Sequence, residues 1–339
     1  MRLAKILAIS FTTLSLCFGP VWAQQRVIVV GSGSNIPLPL YRAWTAEFNR
    51  KNDRIQVRYV PLGTSESIKE ISQGIGDFGG GEVPLGEVQT EGTPGLIAIP
   101  TFVVAIVPVY NLPGNPALNF SGQLLGEIFL GTVKNWRDPR IAELNPKVEL
   151  PNLPLSVVHR TPGRGSNYIF SDFLSKTDPQ FRVRVGTSPS PPWPVGTEAK
   201  RGEDLLAKVA SVPGSIGYAE ATLARKSGIG YGRVENASGQ FVLATPDNIE
   251  AACAAMEHAI PDDLLMDMTN PPGIRSYPIV SFTWIYVPTS KGSPVRRDAL
   301  KQLLKWALSD GQTIAKSEGY VPLPQGILAQ ARKVVSSLR

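Results

Sequence analysis

Ser34, Thr64, Ser65 and Ser166 each follow a short β-branched run and a glycine, and each stands just where a helical pattern begins. Hydroxyls in that setting are neutral donors beside the unpaired first-turn N–H groups of a helix. The positive dipole end there favours a negative ligand by about 0.3–1 kcal/mol per exposed terminus. Arg160 and Arg164 flank the last of these turns, Thr161-Pro162-Gly163-Arg164-Gly165-Ser166-Asn167. A guanidinium fork takes two oxygens of a tetrahedral oxyanion at once. One strand-turn-helix unit of this kind merely caps a helix, whereas its recurrence at three or four places points to a shared anion site.

Other chemistries lack the residues they need. Gly31-Ser32-Gly33-Ser34-Asn35-Ile36 has Ile36 where the dinucleotide fingerprint requires its third glycine, and Arg164-Gly165-Ser166 is no phosphate-loop lysine motif. No Gly-x-Ser-x-Gly is present, and neither His159 nor His258 has a nucleophile neighbour or a partner at metal-ligand spacing. Neither catalysis nor a metal or other cofactor is expected. The 34 Lys and Arg against 28 Asp and Glu are scattered, with no basic tract longer than two residues, as in Lys200-Arg201 and Arg296-Arg297. That excess suits a small anion and gives no nucleic-acid footprint.

The elements that must hold these turns read as alternating strands and short helices. Val27–Val30 precedes a helical stretch from Tyr41 to Asn49, Ile55–Pro61 precedes Ile68–Ile71, and Ser156–Arg160 precedes Tyr168–Leu174. Asp77–Pro84 forms a third glycine-rich connection. Leu96–Tyr110 is apolar and interrupted by Pro100 and Pro108, so a buried strand is expected rather than a helix. Gly214–Tyr218 and Ile279–Pro288 are further strands, and Ala299–Leu308 a helix. The whole is an α/β chain with a mainly parallel sheet, in which ligands gather at the carboxyl ends of strands.

Residues 1–23 carry Arg2 and Lys5, an apolar run from Ile6 to Phe18 and a small residue at Ala23, which together read as a cleavable secretory signal. The mature chain then starts near Gln24 with a net charge of +4 in place of +6, and no later stretch is long enough for membrane insertion. Leu16 before Cys17 argues against a lipid anchor. Cys253 alone remains, so a disulfide within the mature chain is excluded, and its Ala-rich surroundings predict a buried, unreactive thiol.

The order of motifs resembles the PstS family, periplasmic phosphate-binding proteins of ABC transporters. Matching landmarks are Gly31–Pro37 with Tyr41 and Trp44, Gly63-Thr64-Ser65, Asp77-Phe78-Gly79 with Pro84-Leu85, Ile128–Gly131 with Trp136, and Leu144-Asn145-Pro146. Val157–Arg160, Pro213–Tyr218, Tyr277-Pro278-Ile279 and Gly319–Pro324 continue them across almost the whole mature chain. The resemblance implies a two-lobed binding-protein fold of type II, closing over one dehydrated phosphate. Lobe I would be residues 24–106 plus 284–339 and lobe II residues 107–283, joined by crossover strands. Carried over by position, the ligand shell falls on Asn35, Ile36, Thr64, Glu82, Arg160, Arg164, Gly165 and Ser166, with Ser34 and Ser65 beside it.

The sequence departs from the family's pattern at four places, five residues in all: the family prefers Thr-Phe at Asn35-Ile36, Asp at Glu82, Asp at Pro162 and Ser at Arg164. The acid at 82 ordinarily accepts the proton of hydrogen phosphate, and the acid lost at 162 ordinarily steadies the arginine, which leaves Arg160 freer. Two readings follow. Arg164 reaches the anion and alters selectivity, toward a phosphate ester or a more highly charged anion, or it points to solvent and phosphate binds as in the family. The expected function is capture of phosphate or a related oxyanion for an ABC permease, by a monomer in the periplasm. The alternatives are a secreted accessory or regulatory phosphate-binding protein without a permease, and a phosphate-ester hydrolase, for which the required metal or nucleophile is not evident.

Overall fold

The computed structural model describes residues 26–85, 95–289 and 292–338. The predicted signal segment, residues 1–23, lies outside them. The first wing starts with β1 (Val27–Gly33), α1 (Leu38–Lys51), β2 (Ile55–Pro61), α2 (Thr64–Ser72) and β3 (Phe78–Gly81). β4 (Leu96–Tyr110) leaves it. The second wing holds β5 (Asn119–Phe120), α3 (Gly122–Phe129), α4 (Pro139–Leu144), β6 (Ser156–Arg160), α5 (Gly165–Thr177), α6 (Pro179–Arg184) and β7 (Thr197–Ala199). It continues through α7 (Gly202–Ser211), β8 (Ser215–Glu220), α8 (Ala221–Ser227), β9 (Arg233–Glu235), β10 (Phe241–Val242) and α9 (Pro246–Met256). β11 (Val280–Pro288) returns to the first wing, which ends in α10 (Pro294–Ala307), α11 (Asp310–Ser317) and α12 (Gln325–Ser337).

Eight strands form one sheet in the order β2-β1-β3-β11-β4-β8-β6-β7, beside a small β10-β9-β5 sheet. The outer strands are parallel, β1 to β2 and β3 and β6 to β7 and β8, as expected from strands alternating with helices. The centre differs from that expectation: β11 runs antiparallel to both β3 and β4, and β4 antiparallel to β8. A strand that leaves one wing and a strand that returns to it must run in opposite directions when they lie side by side. β4 pairs with β11 up to Ala105 and with β8 from Ile106 onward, so one continuous strand crosses between the wings. Pro100 is accommodated at an irregularity in the register, where Trp284 faces Pro100 and Thr283 faces Phe102.

Buried apolar side chains of both halves join in one continuous core along the sheet. Tyr41 stacks on Trp44 with ring centroids 5.4 Å apart, and the Trp44 indole donates to the Gly311 carbonyl at 2.8 Å, tying α1 to α11. The second wing packs Phe129, Phe170, Phe181, Trp193 and Tyr218, with Phe170 and Tyr218 stacked at 4.3 Å. Cys253 is buried on α9, and burial pushes its thiol up to about 12, which leaves it inert at neutral pH. Among the described residues, no helix is long and apolar enough to cross a membrane.

Candidate oxyanion-binding site

The carboxyl ends of β1, β2 and β3 meet at one place. The Ser34 N–H donates to the Gly80 carbonyl at 2.8 Å, and the Leu62 and Gly63 N–H groups donate to the Gly33 carbonyl at 2.8 and 2.9 Å. These bonds set the turns before α1 and α2 and the end of β3 side by side. Opposite them, β6 ends at Arg160 and the next turn delivers Arg164, Gly165 and Ser166 to the start of α5. Asn35 and Ile36 from the first wing and Arg160 and Ser166 from the second line one small cavity of about 50 Å³, which continues toward Thr222 and Tyr320.

Glu82 follows β3 and has no exposed surface. Its Oε2 accepts from the Thr64 hydroxyl at 3.2 Å, whereas Oε1 has no hydrogen-bond partner among the described residues. Burial raises its carboxyl from the ordinary 4.5 to about 7, against the downward pull of the Ser34 and Thr64 hydroxyls and the Arg160 charge. The side chain lies across the cleft on Gly165, where any Cβ would overlap Oε2.

Arg160 is 5% exposed. Its Nη2 donates to the Lys200 carbonyl at 2.8 Å, and its Nη1 lies 3.5 Å from the Ser166 hydroxyl. Its backbone N–H donates to the Tyr218 hydroxyl at 3.1 Å, which in turn donates to Asn167 Oδ1. Nε has no partner among the described residues, and none of their carboxylates forms an ion pair with this guanidinium. Burial lowers its basicity, because the charge has little compensation around it. The sequence suggested a freer arginine once Pro162 replaced an acid. The structure instead holds it through a main-chain carbonyl, a partner that no residue type announces. Tyr218, Asn167 and Lys200 were not singled out for this role, although Tyr218 stands in a quoted landmark and β8 runs beside β6.

The remaining residues divide between the cavity and the turn contacts. Gly165 and Ser166 open α5, and its first internal bonds are the Asn167 and Tyr168 N–H groups on the Arg164 carbonyl, at 3.1 and 3.3 Å. The two earlier N–H groups lie outside that ladder, as the geometry of a helix start requires. The Ser34 hydroxyl accepts from the Ile36 N–H at 3.1 Å. Ser65 donates its N–H to the Gly163 carbonyl at 3.2 Å, across the cleft. Arg164 takes a third arrangement beside the two offered by the sequence: Nε donates to the Thr161 hydroxyl at 3.2 Å and Nη1 to the Leu62 carbonyl at 2.5 Å.

The PBP superfamily domain matches residues 20–311 of the chain. The phosphate-binding protein PstS of Xylella fastidiosa is 32% identical over 317 residues, covering 92% of this chain and 86% of that protein. PstS of Pasteurella multocida is 30% identical over 327 residues, covering 96% and 93%. The chain belongs to the PstS family. A Clostridium perfringens phosphate ABC transporter substrate-binding protein, solved with bound phosphate, superposes with a TM-score of 0.64 at 18% identity over 88% of this chain and all of that one. A phosphate-binding protein of Stenotrophomonas maltophilia gives 0.67 at 16% over 91% and 94%. The architecture is thus the two-lobed α/β fold of PstS-type binding proteins, and those PstS relatives are binding proteins rather than enzymes.

Proposed function

We propose that the chain captures hydrogen phosphate, or a closely related tetrahedral oxyanion, in the cleft between its wings. One observation carries the reading. Two buried polar atoms there have open valences of opposite kind, an acceptor at Glu82 Oε1 and a charged donor at Arg160 Nε. Hydrogen phosphate satisfies both at once, offering a P–O–H to the carboxylate and an anionic oxygen to the guanidinium. Above about pH 7, where Glu82 is ionised, sulfate has no proton to give and would set an anionic oxygen against the carboxylate, a form of discrimination by repulsion. The names of the PstS relatives support the same ligand.

The residues proposed to form the shell are Asn35, Ile36, Thr64, Glu82, Arg160, Gly165 and Ser166, with Ser34 and Ser65 supporting the turns and Arg164 treated below. Residues 24–106 plus 284–339 would form one lobe and 107–283 the other, hinged on the crossing strands β4 and β11. The protein would act as a monomer in the periplasm after loss of its leader, passing its ligand to the permease of an ABC importer. Calorimetric titration of the ligand-stripped protein with phosphate and sulfate tests the anion assignment. Phosphate is expected to bind at least a hundredfold more tightly, and equal or tighter sulfate binding would overturn it.

A further inference from the structure

We infer that Arg164 is a positioning residue that clasps the two lobes across the cleft, rather than a ligand of the anion. It occupies the N-cap of α5, one residue before the proposed donors Gly165 and Ser166. Its guanidinium nevertheless turns away from them. The Thr161 hydroxyl takes Nε and so fixes the side chain to its own turn, and the Leu62 carbonyl takes Nη1 from the opposite lobe at 2.5 Å. A charged donor on a carbonyl is among the stronger neutral-acceptor bonds.

The opposite lobe is shaped for it. Gly63 has φ +138, a conformation that side-chain-bearing residues rarely adopt, and any Cβ there would overlap Arg164 Nη1. A second bond runs the other way, from the Ser65 N–H to the Gly163 carbonyl at 3.2 Å. The turn at 62–65 and the turn at 161–164 are therefore joined by two hydrogen bonds, both between groups of the chain, and neither needs an anion in order to form. The same two turns lead directly into Thr64 and into Gly165-Ser166. Closing the clasp brings those two donor sets into register, and releasing the anion requires the clasp to open. Glu66 is the acid that interacts with the Arg164 charge, and no described carboxylate forms an ion pair with it.

The inference rests on the two-lobed cleft and on phosphate only for its kinetic readout. The test compares wild type with Arg164→Ala, Thr161→Val and the double variant, by stopped-flow phosphate release and by hydrogen exchange at the Ser65 amide without added anion. Arg164→Ala is expected to speed release about tenfold and to accelerate Ser65 exchange, Thr161→Val, which removes the hydroxyl that aims the fork, to do the same more weakly, and the double change to do no more than Arg164→Ala alone, because both act on one contact. Unchanged Ser65 exchange in Arg164→Ala, or multiplicative effects in the double variant, would overturn the clasp. If wild type fails to bind phosphate, the ligand assignment falls, and the exchange measurement still decides the clasp.

Discussion

The carboxylate of Glu82 rests on the α-carbon of Gly165, one from each side of the cleft, with no room for a side chain between them. Thr64 holds the same carboxylate from below, so the acid is fixed at the point where the first turn of α5 begins. The glutamate takes this place only because position 165 has no Cβ.

Gly165→Ala tests that fit. The added methyl must displace Glu82 or part the lobes, and phosphate affinity is expected to fall by roughly five- to 150-fold. Overpacking of this kind costs about 1–3 kcal/mol. Wild-type affinity in Gly165→Ala, measured by calorimetry, would show that the carboxylate moves away at no cost.

Glu82 also sets a pH dependence. Its carboxyl titrates near 7 in the folded chain against 4.5 ordinarily, so between those values the folded state binds more protons than the unfolded one. Stability of the unliganded protein should therefore fall as pH rises from about 4.5 to 7, by roughly 3 kcal/mol in total. The groups around the acid are the Ser34 and Thr64 hydroxyls, the Arg160 guanidinium and the phenols of Tyr41, Tyr59 and Tyr286. Burial raises all three phenols well above neutrality, so they stay uncharged through this range. Glu82→Gln should flatten the slope and, by offering an N–H, bring sulfate affinity at least tenfold closer to that of phosphate. Denaturant melts at pH 5 and pH 8 read the first effect, and an unchanged slope would move the titration to another group.

The turns at 31–37, 63–67 and 161–167 were legible because glycine, hydroxyl and strand signals coincide there. The outer strands ran parallel as that alternation requires. What was not legible depends on partners distant in the chain. β11 lies between β3 and β4 because the chain must return to its first wing, a constraint that no local pattern carries. The direction of Arg164 is set by the Leu62 carbonyl, 102 positions away, and that of Arg160 by the Lys200 carbonyl. Every residue has such a carbonyl, so no residue type in the sequence announces which one an arginine will meet.

Tyr218 links β8 to the arginine. Its hydroxyl accepts from the Arg160 N–H and donates to Asn167 Oδ1, both buried. Tyr218→Phe leaves those two groups unpaired, and a loss of about 1–3 kcal/mol is expected in denaturant unfolding. Phosphate affinity should fall with it, about tenfold, because the end of β6 is no longer held. A variant as stable as wild type would show that the two groups find other partners.

Arg160 separates stability from function most sharply. A guanidinium buried without an ion pair is costly to the unliganded fold, which is why its basicity is lowered by burial. Arg160→Ala should abolish measurable phosphate binding while leaving the thermal midpoint of the ligand-stripped protein unchanged or higher, as expected where a site holds groups for a ligand at the expense of the fold. Wild type should gain about 2.7 kcal/mol at a phosphate concentration a hundred times its dissociation constant, and the variant nothing. Arg160→Lys keeps the charge but loses the Nε donor and the fork, so an intermediate loss of at least tenfold is expected. Retained binding in Arg160→Ala would place the anion elsewhere, and a large fall in its unliganded midpoint would make Arg160 a structural residue of β6 instead.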